Sequence, residues 1–270
     1  MKRRVAVFAL LLGACAGAPA PISNERIAEI VSSPDRRPAD RTNDVRRKPA
    51  DLLAFIGVRP GMVALDLFAG GGYTTELIAR AVGPTGRVYG QSRPRNPNQP
   101  PPGPAAPGTG AAPAAGVLRP APPSSPQALV ERAKNPAAAN IVAVVRQFEY
   151  PVPPEVASGG LDLVTLMFNY HDLGWIGADR AQMNRAVFAA LKSGGMYVIA
   201  DHSGRPGTGI SESGTLHRVE EALVRREVEA AGFRLAAEGN FLRNPNDPRD
   251  KNTPEPPQPK DEFVLKFVKP

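Results

Sequence analysis

Only three histidines occur in the 270 residues, and each has a polar or charged neighbour: Asn169-Tyr170-His171-Asp172, Asp201-His202-Ser203 and Leu216-His217-Arg218. An imidazole near its ordinary pKa can remove a proton from an acceptor, and an adjacent carboxylate can hold the ring in orientation. We read His171 as such a base and His202 as its rival, with Asp172 and Asp201 orienting the rings. Asn169, Tyr170 and Trp175 are then expected to line the pocket. Imidazole and carboxylate also bind divalent metals, so a metal-dependent enzyme stays open. No HxxxH-type spacing is present, and no metal ligands are assigned. The ordinary use of any one of these residues is to cap a strand end or satisfy a loop backbone.

A second group is built on glycine. Met62 to Phe68 is an apolar run broken only by Asp66, as in a parallel strand buried on both faces. A carboxylate there costs several kcal/mol unless it is hydrogen-bonded, so Asp66 is expected to bond loop amides or a ligand. Gly70-Gly71-Gly72 then lets the backbone turn tightly into a helix over Tyr73–Val82, whose first N–H groups are free to face a ligand.

These two groups need elements to hold them. Residues 22 to 48 read as a polar lead-in with one short helix over Asn24–Val31, and Pro49 opens the next helix. Strands are expected at 87–90, 141–145, 161–168, 196–200, 233–238 and 262–268. Helices are expected at 126–134, across the periodic Met183, Ala186, Val187, Ala190 and Leu191, and from Arg218 to Ala231, with His217 opening the last. Strand and helix alternate until two strands close the chain. That pattern is a doubly wound, Rossmann-like, mostly parallel α/β sheet with an antiparallel last strand. Such sheets bind ligands at the carboxyl ends of their strands, where all three histidines fall. The loops 204–214 and 243–260 read either as lids or as solvent loops.

Composition bounds the rest. A hydrophobic share of 42% supports a packed core, and a single cysteine excludes a disulfide framework or a cysteine zinc cluster. The net charge of +7 is concentrated early in the chain, and no basic-aromatic stripe follows, so nucleic acid is not an expected partner. Lys2-Arg3-Arg4, the apolar Val5–Leu12 and the small residues after it form a secretory pattern. Residues 1–14 are expected to be a signal peptide and residues 15–48 a tether with the N-terminal helix. Residues 49–270 form the main domain. Twelve of the 31 prolines lie in residues 94–126, so about 92–126 is expected to be a disordered Pro/Ala-rich insertion.

Taken together, several segments resemble class I S-adenosylmethionine-dependent methyltransferases. Val63-Ala64-Leu65-Asp66 through Gly72-Tyr73 and Gly86-Arg87-Val88-Tyr89 are similar to their first two motifs. Leu161-Asp162-Leu163-Val164, Leu191 to Met196, Ala230 to Phe233 and Phe263-Val264-Leu265 are similar to the segments of their later strands. The three histidine segments resemble those of a group of predicted exported bacterial methyltransferases. Leu12-Gly13-Ala14-Cys15 is similar to a bacterial lipobox, which implies lipidation of Cys15 and a periplasmic or outer-membrane-tethered protein. The resemblance implies S-adenosylmethionine as cofactor, held by Asp66, Phe68, Ala69, Gly70, Gly72, Tyr73, Gln91, Ser92 and Asn169, and a small-molecule acceptor near His171, Asp172 and His202. Two departures are visible. The second strand ends in Gly90-Gln91-Ser92, where the family carries a ribose-binding acid, and Phe68 stands where the family has its first glycine. The loss of that acid and the export signal leave open a noncatalytic small-ligand-binding module on the same fold.

Overall fold

The computed structural model describes residues 19–94, 125–254 and 257–270. The expectations for the signal segment, for Cys15 and for nearly all of the proline-rich insertion lie outside the described residues. Seven strands form one sheet in the order β3-β2-β1-β4-β5-β7-β6. They are β1 (Val63–Leu67), β2 (Arg87–Ser92), β3 (Ile141–Val145), β4 (Leu161–Met167), β5 (Leu191–His202), β6 (Arg234–Gly239) and β7 (Glu262–Val268). Strands β1 to β5 pair in parallel, and β7 inserts antiparallel between β5 and β6. The mostly parallel doubly wound sheet with an antiparallel end is therefore the observed fold.

Side-chain alternation along these strands builds two cores, one on each face. Ala64, Leu163, Met167, Val198 and Ala200 pack with α1 (Asn24–Ser32), α3 (Pro49–Ile56) and α4 (Tyr73–Val82). Leu65, Leu67, Val164, Leu166, Tyr197 and Ile199 pack on the other face with α7 (Arg180–Ala190) and α8 (Glu221–Glu229). Asp66 and Thr165 share the α4 face, because each lies two residues from a member of the first core.

Three elements depart from the sequence reading. Residues 22–48 hold two helices: after α1 comes α2 (Pro38–Arg47), with proline at its first turn, Asp40 near its N-terminus and Arg46 and Arg47 in its last turn. Lys48, left-handed at φ +43°, ends α2 and starts α3. A short helix α6 (Tyr170–Trp175) follows β4 directly. The turn at Ser193-Gly194-Gly195 lies inside β5 as an irregularity, since Leu161 pairs Leu191 while Leu163 pairs Met196. The remaining helix, α5 (Ser125–Ala133), lies over β2 and β3.

Candidate active site

At the end of β1 the chain leaves the sheet through left-handed backbone at Phe68 (φ +54°), Gly70 (φ +54°) and Gly72 (φ +80°). Glycine suits that region. Phe68 does not, and its strain, about 1–3 kcal/mol, is held by its amide donating to Gln91 Oε1 at 3.0 Å and by its ring against Phe148. The adjacent β4 ends in the same way, with Phe168 at φ +62°. Space beside Gly70 and Gly71 is open: a Cβ on Gly71 would meet nothing within 4 Å. Gly72 is different, since a Cβ there would lie 2.8 Å from Leu129 and Arg132 side-chain atoms.

Asp66 is 2% exposed, and its two oxygens accept hydrogen bonds from Thr75 at 2.6 Å and Thr165 at 2.7 Å. Burial pushes its pKa up to about 6 against those two hydroxyls, which pull it down. The sequence reading of loop amides or a ligand as its main partners is corrected: two threonines from α4 and β4 hold it.

A cavity of about 220 Å³ opens above this turn. Asp66, Phe68, Ala69, Gly70, Tyr73 and Asn169 line it, as do Asp40, Asn43 and Arg47 from α2 and Arg132 from α5. The α2 residues were missed because their charges read as a solvated lead-in. In the structure an ion-pair network clamps α2 to the start of α4. Arg132 bonds Asp40 at 2.6 Å and also Glu76, while Asp44 accepts from Arg36 at 2.7 Å and from the Tyr73 hydroxyl at 2.6 Å. Arg47 is left pointing into the cavity. Its guanidinium lies 5.1 Å from the Tyr73 ring centroid and 4.7 Å from that of Phe168, and its Nε is buried without a hydrogen-bond partner among the described residues. Burial lowers its pKa to about 10, so it remains a cation at neutral pH.

Two expected ribose contacts separate. Gln91 is fully buried, and its amide is used at both ends, by Phe68 N–H and by donation to the Arg146 carbonyl at 2.7 Å. It is a brace for the turn, not a ligand contact. Ser92 keeps a buried hydroxyl oxygen with no partner among the described residues. Size alone does not select the site. A cavity of about 600 Å³ opens at the amino ends of β2 and β3, lined by Arg26, Arg80, Gly86 and Asn140, with no glycine-turn or histidine residue in its wall.

The histidine edge lies beside the smaller cavity. Asn169 belongs to both, lining the cavity and donating to Asp172 Oδ2 at 2.8 Å. His171 and His202 ring centroids are 5.5 Å apart, as are those of His171 and His217, so the fold gathers all three. Their surroundings differ from one another. His171 Nδ1 donates to the fully buried Asp201 at 2.7 Å, and Nε2 lies 3.2 Å from Asp172 Oδ1. Burial alone would lower the pKa of His171, but the two carboxylates overcome it and raise it to about 10. Both ring nitrogens of His171 thus face carboxylates, which favour its protonated form and stand where the sequence reading placed a free base. Asp172 is pushed well below the usual carboxylate range, since its bonds to His171, Trp175 and Asn169 outweigh its burial.

His202 is held neutral, lowered first by burial and then by the charge of Lys260, although its Nδ1 lies 2.9 Å from Glu262. His217 has the most exposed side chain of the three, at 39%, with its pKa lowered by partial burial and by the charge on His171. It does not open a helix. It sits in a left-handed conformation (φ +51°), four residues before α8, fixed by the next residue. Arg218 is fully buried, bonded to Asp247 at 2.9 Å and to the Ser203 and Lys251 carbonyls. Tyr170, expected to line the pocket, is fully buried, donates to Glu227 at 2.7 Å and is in the wall of neither cavity described above. Trp175 is half exposed and donates to Asp172 Oδ1 at 2.9 Å. The 204–214 loop packs on α6, where a Cβ on Gly174 would lie 2.3 Å from Ile210.

No family model and no curated protein sequence matches the chain. Solved structures do. A SAM-dependent methyltransferase from Aquifex aeolicus aligns with a TM-score of 0.56 at 15% identity, over 92% of this chain and 98% of that one. A chain from the complex of the Haloferax volcanii Trm112 methyltransferase activator with a methyltransferase aligns at 0.54 and 16% identity, over 92% and 99%. The YcgJ protein of Bacillus subtilis aligns at 0.52 and 13%, over 81% and 97%. At these identities the likeness is one of fold: the chain has the fold of class I SAM-dependent methyltransferases.

Proposed function

We propose that the chain transfers a methyl group from S-adenosylmethionine to a small acceptor. The observation that carries this reading is the open left-handed turn after β1, with the half-buried Arg47 beside it, its Nε unpartnered among the described residues, in a sheet of methyltransferase topology. The residues fit the cofactor's chemistry. Arg47 offers charge to its amino-acid carboxylate, the Gly70-Gly71 backbone leaves room for close approach, and Ser92 holds an unused hydroxyl. S-adenosylmethionine, when bound, supplies a methyl group activated on a sulfonium. What the chain adds is positioning, worth a large share of the barrier in a reaction between two bound partners. Asn169 joins the cavity to the histidine edge. There, with no ion bound, His217 is the accessible imidazole for the acceptor's proton.

Full-length protein titrated calorimetrically with S-adenosylmethionine and S-adenosylhomocysteine tests the cofactor. Micromolar binding is expected, lost in Gly70→Asp and weakened about tenfold in Arg47→Gln, about 1.4 kcal/mol. No binding by folded protein would end the reading. The absence of an acid at the end of β2, where Gln91 is consumed as a brace, favours a second reading: a noncatalytic module that binds the ligand without turnover. Export and tethering through a lipid on Cys15 belong to the proposal, and loss of lipid label in Cys15→Ser is the expected result.

A further inference from the structure

We propose that His171, Asp172 and His217 bind a divalent transition-metal ion of the zinc or ferrous type. One ligand atom from each lies within 4.8 Å of the others. Two atoms about 2.1 Å from one ion stand about 3.4 Å apart at the tetrahedral angle. His171 Nε2 and Asp172 Oδ1 are 3.2 Å apart, and Asp172 Oδ1 and His217 Nδ1 are 3.8 Å apart, so small side-chain rotations close the set.

The surroundings match what a metal site needs beyond its ligands. A ligating histidine almost always gives its second ring N–H to a carboxylate, a backbone carbonyl or water, which fixes the tautomer and aims the free nitrogen. His171 does this toward Asp201, whose side chain is fully buried and held in turn by the backbone N–H groups of His171 and His202, each at 2.7 Å. Asp172 is braced by Asn169 at 2.8 Å and Trp175 at 2.9 Å. His217 is placed by the buried Arg218 anchor. Two imidazoles and one carboxylate suit zinc and ferrous ions, whereas magnesium and calcium take oxygen sets. Three protein ligands also leave coordination positions for an exogenous group, as in catalytic sites. The Asp172 and His217 side chains, 18% and 39% exposed, leave the cluster reachable from solvent.

Full-length protein, stripped with a chelator and titrated with Co²⁺, is expected to take up one ion per chain with visible ligand-field bands that Zn²⁺ abolishes. His217→Ala and Asp172→Asn, both at partly exposed positions, are each expected to weaken Co²⁺ binding tenfold or more while circular dichroism stays native. A folded protein that binds no Co²⁺ at millimolar concentration, or affinity in both variants unchanged from that of the parent chain, overturns the proposal. Binding of S-adenosylmethionine, measured on the same samples, separates the two readings. Cofactor bound without metal sinks this site and keeps methyl transfer; metal bound without cofactor does the reverse.

Discussion

The glycine turn and the histidine edge sit side by side at the carboxyl ends of the strands, yet they are built in opposite ways. The turn is continuous in sequence, from Asp66 to Tyr73, and its shape comes from backbone conformation and open space. The histidine edge is assembled from three segments spread over 46 residues and from the start of β7, and its character comes from charge: His171 against Asp172 and Asp201, His202 against Glu262 and Lys260. A turn made by local geometry tolerates changes around it. An edge made by paired charges depends on each anchor, because removing one partner leaves the other buried and unpaired.

That contrast predicts a graded set of losses. The largest is at the anchor of the edge. Arg218→Ala leaves Asp247 buried with only the Arg249 and Asp261 backbone N–H groups as partners, and urea unfolding is expected to show a loss of about 3–5 kcal/mol. A loss below about 1 kcal/mol would mean the 243–254 loop simply rearranges, and the edge is less brittle than its contacts indicate. Next comes the one buried charge of the turn. Thr165→Val removes a hydroxyl from Asp66 and is expected to cost about 1.5–3 kcal/mol, the range for hydrogen bonds to charged groups.

Comparable in total size, but spread over about two pH units, is a slope. Burial raises the Asp66 pKa from 3.8 to about 6, so the folded state holds its proton more tightly than the unfolded chain does. The Asp66 contribution to stability is therefore fully present below about pH 4 and is lost as the pH rises to about 6. The slope does not exceed about 1.4 kcal/mol per pH unit. Subtracting the pH profile of Asp66→Asn from that of the parent chain isolates it, and a difference rising with pH would show that the threonine bonds outweigh burial.

The sheet, most of its helices and the glycine turn were legible because their signals are local. Apolar runs such as Met62–Phe68, the spacing of Met183 to Leu191 and the glycines at 70–72 report backbone preferences over a few residues. Helix α2 was not legible, since its mean character is polar and its role lies in Asp40 reaching Arg132 and Asp44 reaching Tyr73. Gln91 could be placed at the end of β2 but not assigned, because its partners, Phe68 and the Arg146 carbonyl, are 23 and 55 residues away.

The sequence by itself determined that three imidazoles would meet at the carboxyl edge of a doubly wound sheet, next to a glycine turn. Only the tertiary structure decided what each of them is. A proton or an ion on an imidazole answers to carboxylates about 3 Å away, and those distances follow from how β4, β5 and the loop before α8 pack together. The same residue, His171, reads as a free base along the chain and stands between two carboxylates in the fold.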